Sequence, residues 1–128
     1  MQTAGHEPES IYVQAINTSK GGIVVANRML WATTSQQRRR GLLGREQLDQ
    51  DEGMYIVPTE WIHTFGMHFP IDVAFLSEEG VVLTINRQLR PNRFSKISLR
   101  AQGALELAAG RLAETGTEVG DKIEFRDV

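Results

Sequence analysis

The chain has 128 residues, a formal net charge of −2 and 23% charged residues, the profile of one ordinary globular domain rather than a disordered polyelectrolyte. It contains no Cys, which removes disulfides, thiolate nucleophiles and Cys-ligated zinc together. The slightly acidic balance argues against a general affinity for nucleic acid, no stretch reaches the ~20 apolar residues of a membrane span, and the first residues lack the basic and apolar regions of a secretory signal, so a cytoplasmic location is expected.

Residues 1–10 are polar and aperiodic and are expected to form a flexible tail, with residues 11–128 as a single globular domain. Tyr12 to Asn17 alternates as a strand does. Gly21-Gly22 then turns the chain into Ile23-Val24-Val25-Ala26, continued by Arg28 to Ala32; β-branched residues bounded by glycines support a strand. Thr34 and Gln37 stand at capping-box spacing, which predicts a helix running to about Leu48, the only long helix expected. Met54 to Val57 reads as a strand stopped by Pro58. Ile71–Leu76 and Val81–Asn86 flank Ser77-Glu78-Glu79-Gly80, a hairpin whose loop ends on the glycine that a left-handed position needs. Gly103–Ala108 reads as a short strand, Ala109–Thr115 as a short helix, and Lys122–Phe125 as a terminal strand. Short strands at regular spacing predict a mainly β fold, a compact barrel-like or sandwich arrangement with one main helix packed on it.

The densest chemistry lies in His63-Thr64-Phe65-Gly66-Met67-His68-Phe69-Pro70-Ile71-Asp72, which runs into the apolar Val73-Ala74-Phe75-Leu76. In an extended chain His63, Phe65 and Met67 face one way, and Thr64 and His68 the other. Only a bend at Gly66 brings the two imidazoles together. His63, His68 and Asp72 or Glu106 do not follow a metal-ligand spacing rule, and no metal is assigned. Asp72 precedes a strand apolar on both faces, so its carboxylate must be paired or hydrogen-bonded if buried; capping a turn is one role, a general base with a raised pKa the other. Glu106 points away from Leu105 and Leu107, either outward or, in a closed barrel, into a cavity. There is no Gly-x-Ser-x-Gly elbow, no phosphate loop and no dinucleotide fingerprint, so no nucleotide or other cofactor is expected. Arg38-Arg39-Arg40 opposes the positive end of the predicted helix and needs pairing with Glu46, Asp49 and Asp51 or contact with an anionic partner.

In order and spacing, Arg40-Gly41-Leu42-Leu43-Gly44-Arg45, Gly53-Met54, Thr64 through Leu76, Ala104-Leu105-Glu106-Leu107, Ala109-Gly110 and Gly120-Asp121 resemble the family known as domain of unknown function 192, small proteins of bacteria and archaea. The resemblance runs from about Val24 to Phe125. It implies a mostly β, barrel-like or sandwich fold with a packed helix, and it implies no activity. Many relatives carry Trp-Met-Lys-Asn where this chain has Phe65-Gly66-Met67-His68, so the polar lining here differs from theirs.

Three functional readings follow. The first is a non-catalytic binding domain for a small or peptide-like ligand, anionic where Arg side chains reach it, held by His63, Thr64, Met67, His68, Asp72 and Glu106. The second is a small hydrolase or isomerase using His63 or His68 with Asp72. The third is an interaction module that offers the Arg-rich helix or a sheet edge to an acidic protein.

Overall fold

The computed structural model describes residues 13–33 and 42–127; the expected tail and most of the expected long helix lie outside them. Seven strands make one sheet: β1 (Val13–Asn17), β2 (Ile23–Ala32), β3 (Glu52–Ile56), β4 (Ile71–Leu76), β5 (Val82–Leu89), β6 (Gly103–Ala108) and β7 (Ile123–Asp127), with helix α1 (Arg111–Thr115) between the last two. Their spatial order is β5-β4-β6-β3-β2-β1-β7. Only β2 and β3 run parallel, and a parallel pair needs a long connection, which residues 33–51 supply. The mainly β architecture expected from the sequence is the one found.

The sheet curls until its two edge strands meet at one end. Val81 bridges to Lys122, Val82 N–H donates to the Asp121 carbonyl at 2.8 Å, and Ile123 N–H donates to the Gly80 carbonyl at 2.8 Å. Gly80 has φ +89°, and a Cβ there would run into the Ile123 carbonyl. The glycine that turns the β4–β5 hairpin is thus also the glycine that permits closure. The outcome is a half-closed barrel.

Curling gives the sheet two apolar faces. Inside lie Val25, Met29, Ala74, Leu76, Leu105 and Leu107, with Leu112 of α1 inserted among them. Trp31, Tyr55 and Phe125 form an aromatic trio with ring centroids 4.8–5.1 Å apart, and burial pushes the Tyr55 hydroxyl up to about 12. Outside lie Met54, Ile56, Ile71, Val73 and Phe75, covered by Leu42, Leu48, Ile62, Met67 and Phe69 from the connections. Every residue of β4 and β6 is therefore buried, which explains an apolar run without alternation.

The predicted long helix does not reach Leu48. Residues 43–48 are turn and irregular chain, and Gly44 at φ +84° leaves the helical region. Among the described residues of this connection Leu42 and Leu48 are buried. Arg28 meets the acidic stretch, at 3.2 Å from Asp51 and 3.6 Å from Asp49, while Arg45 lies 2.6 Å from Glu52 and Glu46 faces His68; Arg38, Arg39 and Arg40 lie outside the described residues. Among the described residues the one α-helix is α1.

Asp72 fixes α1 to the sheet. It lies where the β4–β5 register shifts between Ile71 and Val73. Its Oδ1 accepts from Gln88 N–H at 2.8 Å, and its Oδ2 accepts from Gly110 N–H at 3.1 Å and Leu112 N–H at 2.9 Å. One carboxylate thus joins β4, the irregular end of β5 and the first turn of α1. Replacing Asp72 by Ala strips three backbone donors of their acceptor and is expected to lower unfolding free energy by about 2–4 kcal/mol, with Asp72→Asn intermediate. Urea denaturation measures this; an Asp72→Ala midpoint equal to wild type would refute the cap.

Candidate functional site

The alternation of β6 sends Leu105 and Leu107 inward and Glu106 to the outer face, beside its register partners Met54 of β3 and Val73 of β4. That face is roofed by the connections, but not completely. A cavity of about 420 Å³ remains, with Glu106 at its floor, Ile56, Ile62 and Met67 in its walls, and Leu43, Trp61, His63 and Phe65 around its mouth. Glu106 is only 4% exposed, and among the described residues its carboxyl meets neither a hydrogen-bond donor nor a cation. Burial pushes it up to about 8, because a charge in an apolar enclosure loses its hydration without replacement. At neutral pH it is mainly a neutral acid.

The mouth is shaped by residues 62–67. Gly66 has φ +83°, and Met67 N–H donates to the Thr64 carbonyl at 3.1 Å, closing a turn that needs a positive φ at its third residue. Thr64 is fully buried and clamps this turn to residues 90–93. Its hydroxyl donates to the Arg90 carbonyl at 2.6 Å and accepts from Arg93 N–H at 2.9 Å. The clamp brings Phe94 alongside, and four exposed rings assemble. Phe65 and Phe94 stand 5.0 Å apart, Trp61 and Phe94 5.8 Å, and His63 lies 5.1 Å from Phe65. The Nδ1 of His63 accepts from Phe65 N–H at 3.2 Å, which leaves Nε2 as the protonated nitrogen of the neutral ring.

Of the six residues singled out from the sequence, the cavity gathers His63, Met67 and Glu106. Thr64 serves the loop clamp. His68 points to the surface, where its Nδ1 lies 3.3 Å from Glu46. Asp72 faces the opposite side of the sheet, since it is in register with Leu107 whereas Glu106 is in register with Val73. Gly66 does bend the chain, yet each imidazole has its own partners and, among the described residues, no ring contact joins them. The proposed union of His63 or His68 with Asp72 is not assembled, because Asp72 is engaged by three backbone N–H groups behind the sheet. Among the described residues no group of three or more His, Asp or Glu stands ready for a metal ion. Sequence reasoning passed over Trp61, Leu43 and Phe94. The period-two run Trp61, His63, Phe65 was the available signal.

A second groove, about 1080 Å³, follows β5 and the segment after it, lined by Arg87, Arg90, Arg93, Phe94 and Lys96. Among the described residues none of these four cations pairs with a carboxylate; Lys96 Nζ instead donates to the Ile85 carbonyl at 3.3 Å and Arg93 to the Asn92 carbonyl at 3.3 Å. Glu118, on the rim, lies 3.8 Å from Lys20.

The model of the family domain of unknown function 192, described as uncharacterized ACR, matches residues 15–125. The chain belongs to this family. Two solved structures share its fold. A "putative transcription regulator" from Sinorhizobium meliloti 1021 is 27% identical with a TM-score of 0.74, over 90% of this chain and 92% of that one. A protein of unknown function from Novosphingobium aromaticivorans DSM 12444 is 24% identical with a TM-score of 0.76, over 97% and 93%. No curated protein matches the chain. Among the described residues, no helix is long and apolar enough to cross a membrane.

Membership supplies no chemistry, so Glu106 has to be tested directly. Its folded pKa of about 8 lies above its ordinary value of 4.5, so between those values the folded protein holds a proton that the unfolded chain has lost. Stability is therefore greatest below the lower value and falls as the pH rises through the window, by on the order of 4 kcal/mol. Asp51, held low by its hydrogen bond to Arg28, acts in the opposite sense at lower pH, where its stabilising contribution is lost on acidification. Subtracting the Glu106→Gln curve from wild type isolates Glu106. Urea unfolding from pH 5 to 9 should show the decline in wild type and its absence in Glu106→Gln; parallel curves would place the Glu106 carboxyl in an ordinary solvated state.

Proposed function

We propose that this chain is a non-catalytic binding domain that takes a small or peptide-like ligand into the cavity over Glu106. The observation that carries the reading is a neutral, unpartnered acid at the floor of an apolar cavity with aromatic rings at the mouth. Ligand pockets are commonly built so, an apolar lining with few polar groups that fix orientation. The rings supply area at small entropic cost, and Glu106 supplies the one buried polar contact. The hydrolase or isomerase alternative draws no support from His63, His68 and Asp72, which stand apart.

Trp61 reports directly on the cavity. In a Trp31→Phe background it is the sole indole, Trp31 being the other of two Trp. Native mass spectrometry and thermal shifts against metabolites and short peptides should identify a ligand that also changes Trp61 emission. Trp61→Ala should weaken that ligand roughly tenfold or more, as expected for an aromatic anchor. A ligand that leaves Trp61 emission and the Trp61→Ala affinity untouched binds elsewhere and ends this reading.

The β5 groove favours a second reading, contact with an acidic protein at the sheet edge, beside the Arg-rich run expected to make such a contact, which lies outside the described residues. Among the described residues Arg87, Arg90, Arg93 and Lys96 are cations without carboxylate partners, in a chain of net charge −2. Fluorescence anisotropy with a labelled oligo-glutamate peptide should show binding that weakens as salt rises and disappears in Arg87→Glu/Arg90→Glu/Arg93→Glu. Equal affinity of this variant would remove the groove from consideration.

A further inference from the structure

Resting on the cavity reading above, we infer that its ligand carries an organic ammonium group on an apolar stem, with the cation placed between the Glu106 carboxyl and the Trp61 and Phe65 rings. Each possible ligand charge would meet a different environment in the cavity. An anionic group would meet an acid at the floor and, among the described lining residues, no Arg or Lys. A neutral group would meet one hydrogen-bond donor and leave the remaining lone pairs of the carboxyl in an enclosure that offers them nothing. An ammonium meets an acceptor with two free oxygens and, at the mouth, rings whose faces attract cations. Trp61 is 46% exposed and Phe65 43%, so part of each ring is open to an incoming group.

The surroundings of Glu106 sharpen the expectation. From β3 and β4 it faces Met54 and Val73, neither of which titrates. From the 57–67 connection the one titratable lining residue is His63, and from the 42–43 connection Leu42 and Leu43 contribute no charge. His68 and Glu46 pair with each other outside the lining. Glu106 is thus the cavity's single acid, and burial keeps its proton on at neutral pH. Seating an ammonium there stabilises the carboxylate and drives that proton to solvent. The balance is simple: one cation enters, one proton leaves, and the buried net charge does not change. The exchange leaves neither charge buried without a partner, the arrangement that costs most in an apolar enclosure.

The test uses three probes of one shape: phenethylammonium, 2-phenylethanol and phenylacetate. Isothermal titration of the full chain at pH 7, in two buffers of different ionisation enthalpy, reads affinity and protons released together. Phenethylammonium should bind at least roughly tenfold more tightly than the alcohol, the difference one compensated charge contact makes, and should release close to one proton. Phenylacetate should bind most weakly. Glu106→Gln, which matches the neutral acid in shape, should abolish the proton release and the preference while retaining the alcohol. Trp61→Leu supplies a second variant at an exposed position, and should reduce the preference for the cation. If the alcohol binds as well as the ammonium, or no proton leaves, the ammonium assignment is overturned while the cavity remains a binding site. If none of the three probes binds or shifts Trp61 emission, both the assignment and the cavity reading fall.

Discussion

A sheet curled tightly enough to bury both faces of β4 and β6 must account for every polar group on those strands, and this chain places two carboxyls there. Asp72 and Glu106 occupy neighbouring positions in the β4–β6 register but project to opposite faces. Their treatment could hardly differ more. Asp72 accepts three backbone hydrogen bonds, so its charge is stabilised by fixed dipoles. Glu106 receives none among the described residues, and remains a neutral acid at moderate pH. Burial is costly for a carboxylate unless hydrogen bonds or a countercharge replace water; one residue has the replacement built in, and the other lacks it.

That difference separates a satisfied carboxyl from an unsatisfied one along two strands. The Asp72 side of the sheet is closed by Leu112 and the aromatic trio, and its polar chemistry is complete. The Glu106 side is closed by connections, which cannot tile a sheet face as evenly as a helix or a second sheet. Thr64 holds one of these connections against the 90–93 turn, and Ile62 N–H donates to Ser95 Oγ at 2.9 Å farther along the same seam. The seam fixes where the roof stops, and the cavity begins there. It also carries Phe94 between the two clefts, in contact with Trp61 and Phe65 and on the edge of the basic groove.

The strands were legible because their signals are local. Alternation in Tyr12–Asn17 and Lys122–Phe125, the apolar run after Asp72, and the Ser77–Gly80 loop each report on a few adjacent residues. The end of the long helix was not legible: the Thr34–Gln37 spacing is a start signal on residues outside those described, but residues 43–48 are not helical, and Gly44 stands at φ +84°. The site was legible only in part. His63, Met67 and Glu106 drew notice for their chemistry, whereas Phe94 is about thirty residues from the rings it joins. The partners of Asp72 were equally remote, since Gly110 and Leu112 come within reach only after β6 has returned beside β4. Whether Glu106 pointed outward or into a cavity had no local answer. It does both, because the outer face of this sheet is itself covered.

An acid left without a partner among the described residues contrasts with Asp72 and Asp121, buried carboxyls that accept hydrogen bonds. Hydrophobic replacement at residue 106 would remove the desolvation penalty and fill part of the cavity, so stability alone does not account for a glutamate there. The proposed binding role would use both the acid and its isolation. With no internal partner to displace, the full electrostatic gain of a new contact in a low-dielectric enclosure goes to whatever enters. The isolation of Glu106 is then the source of its selectivity.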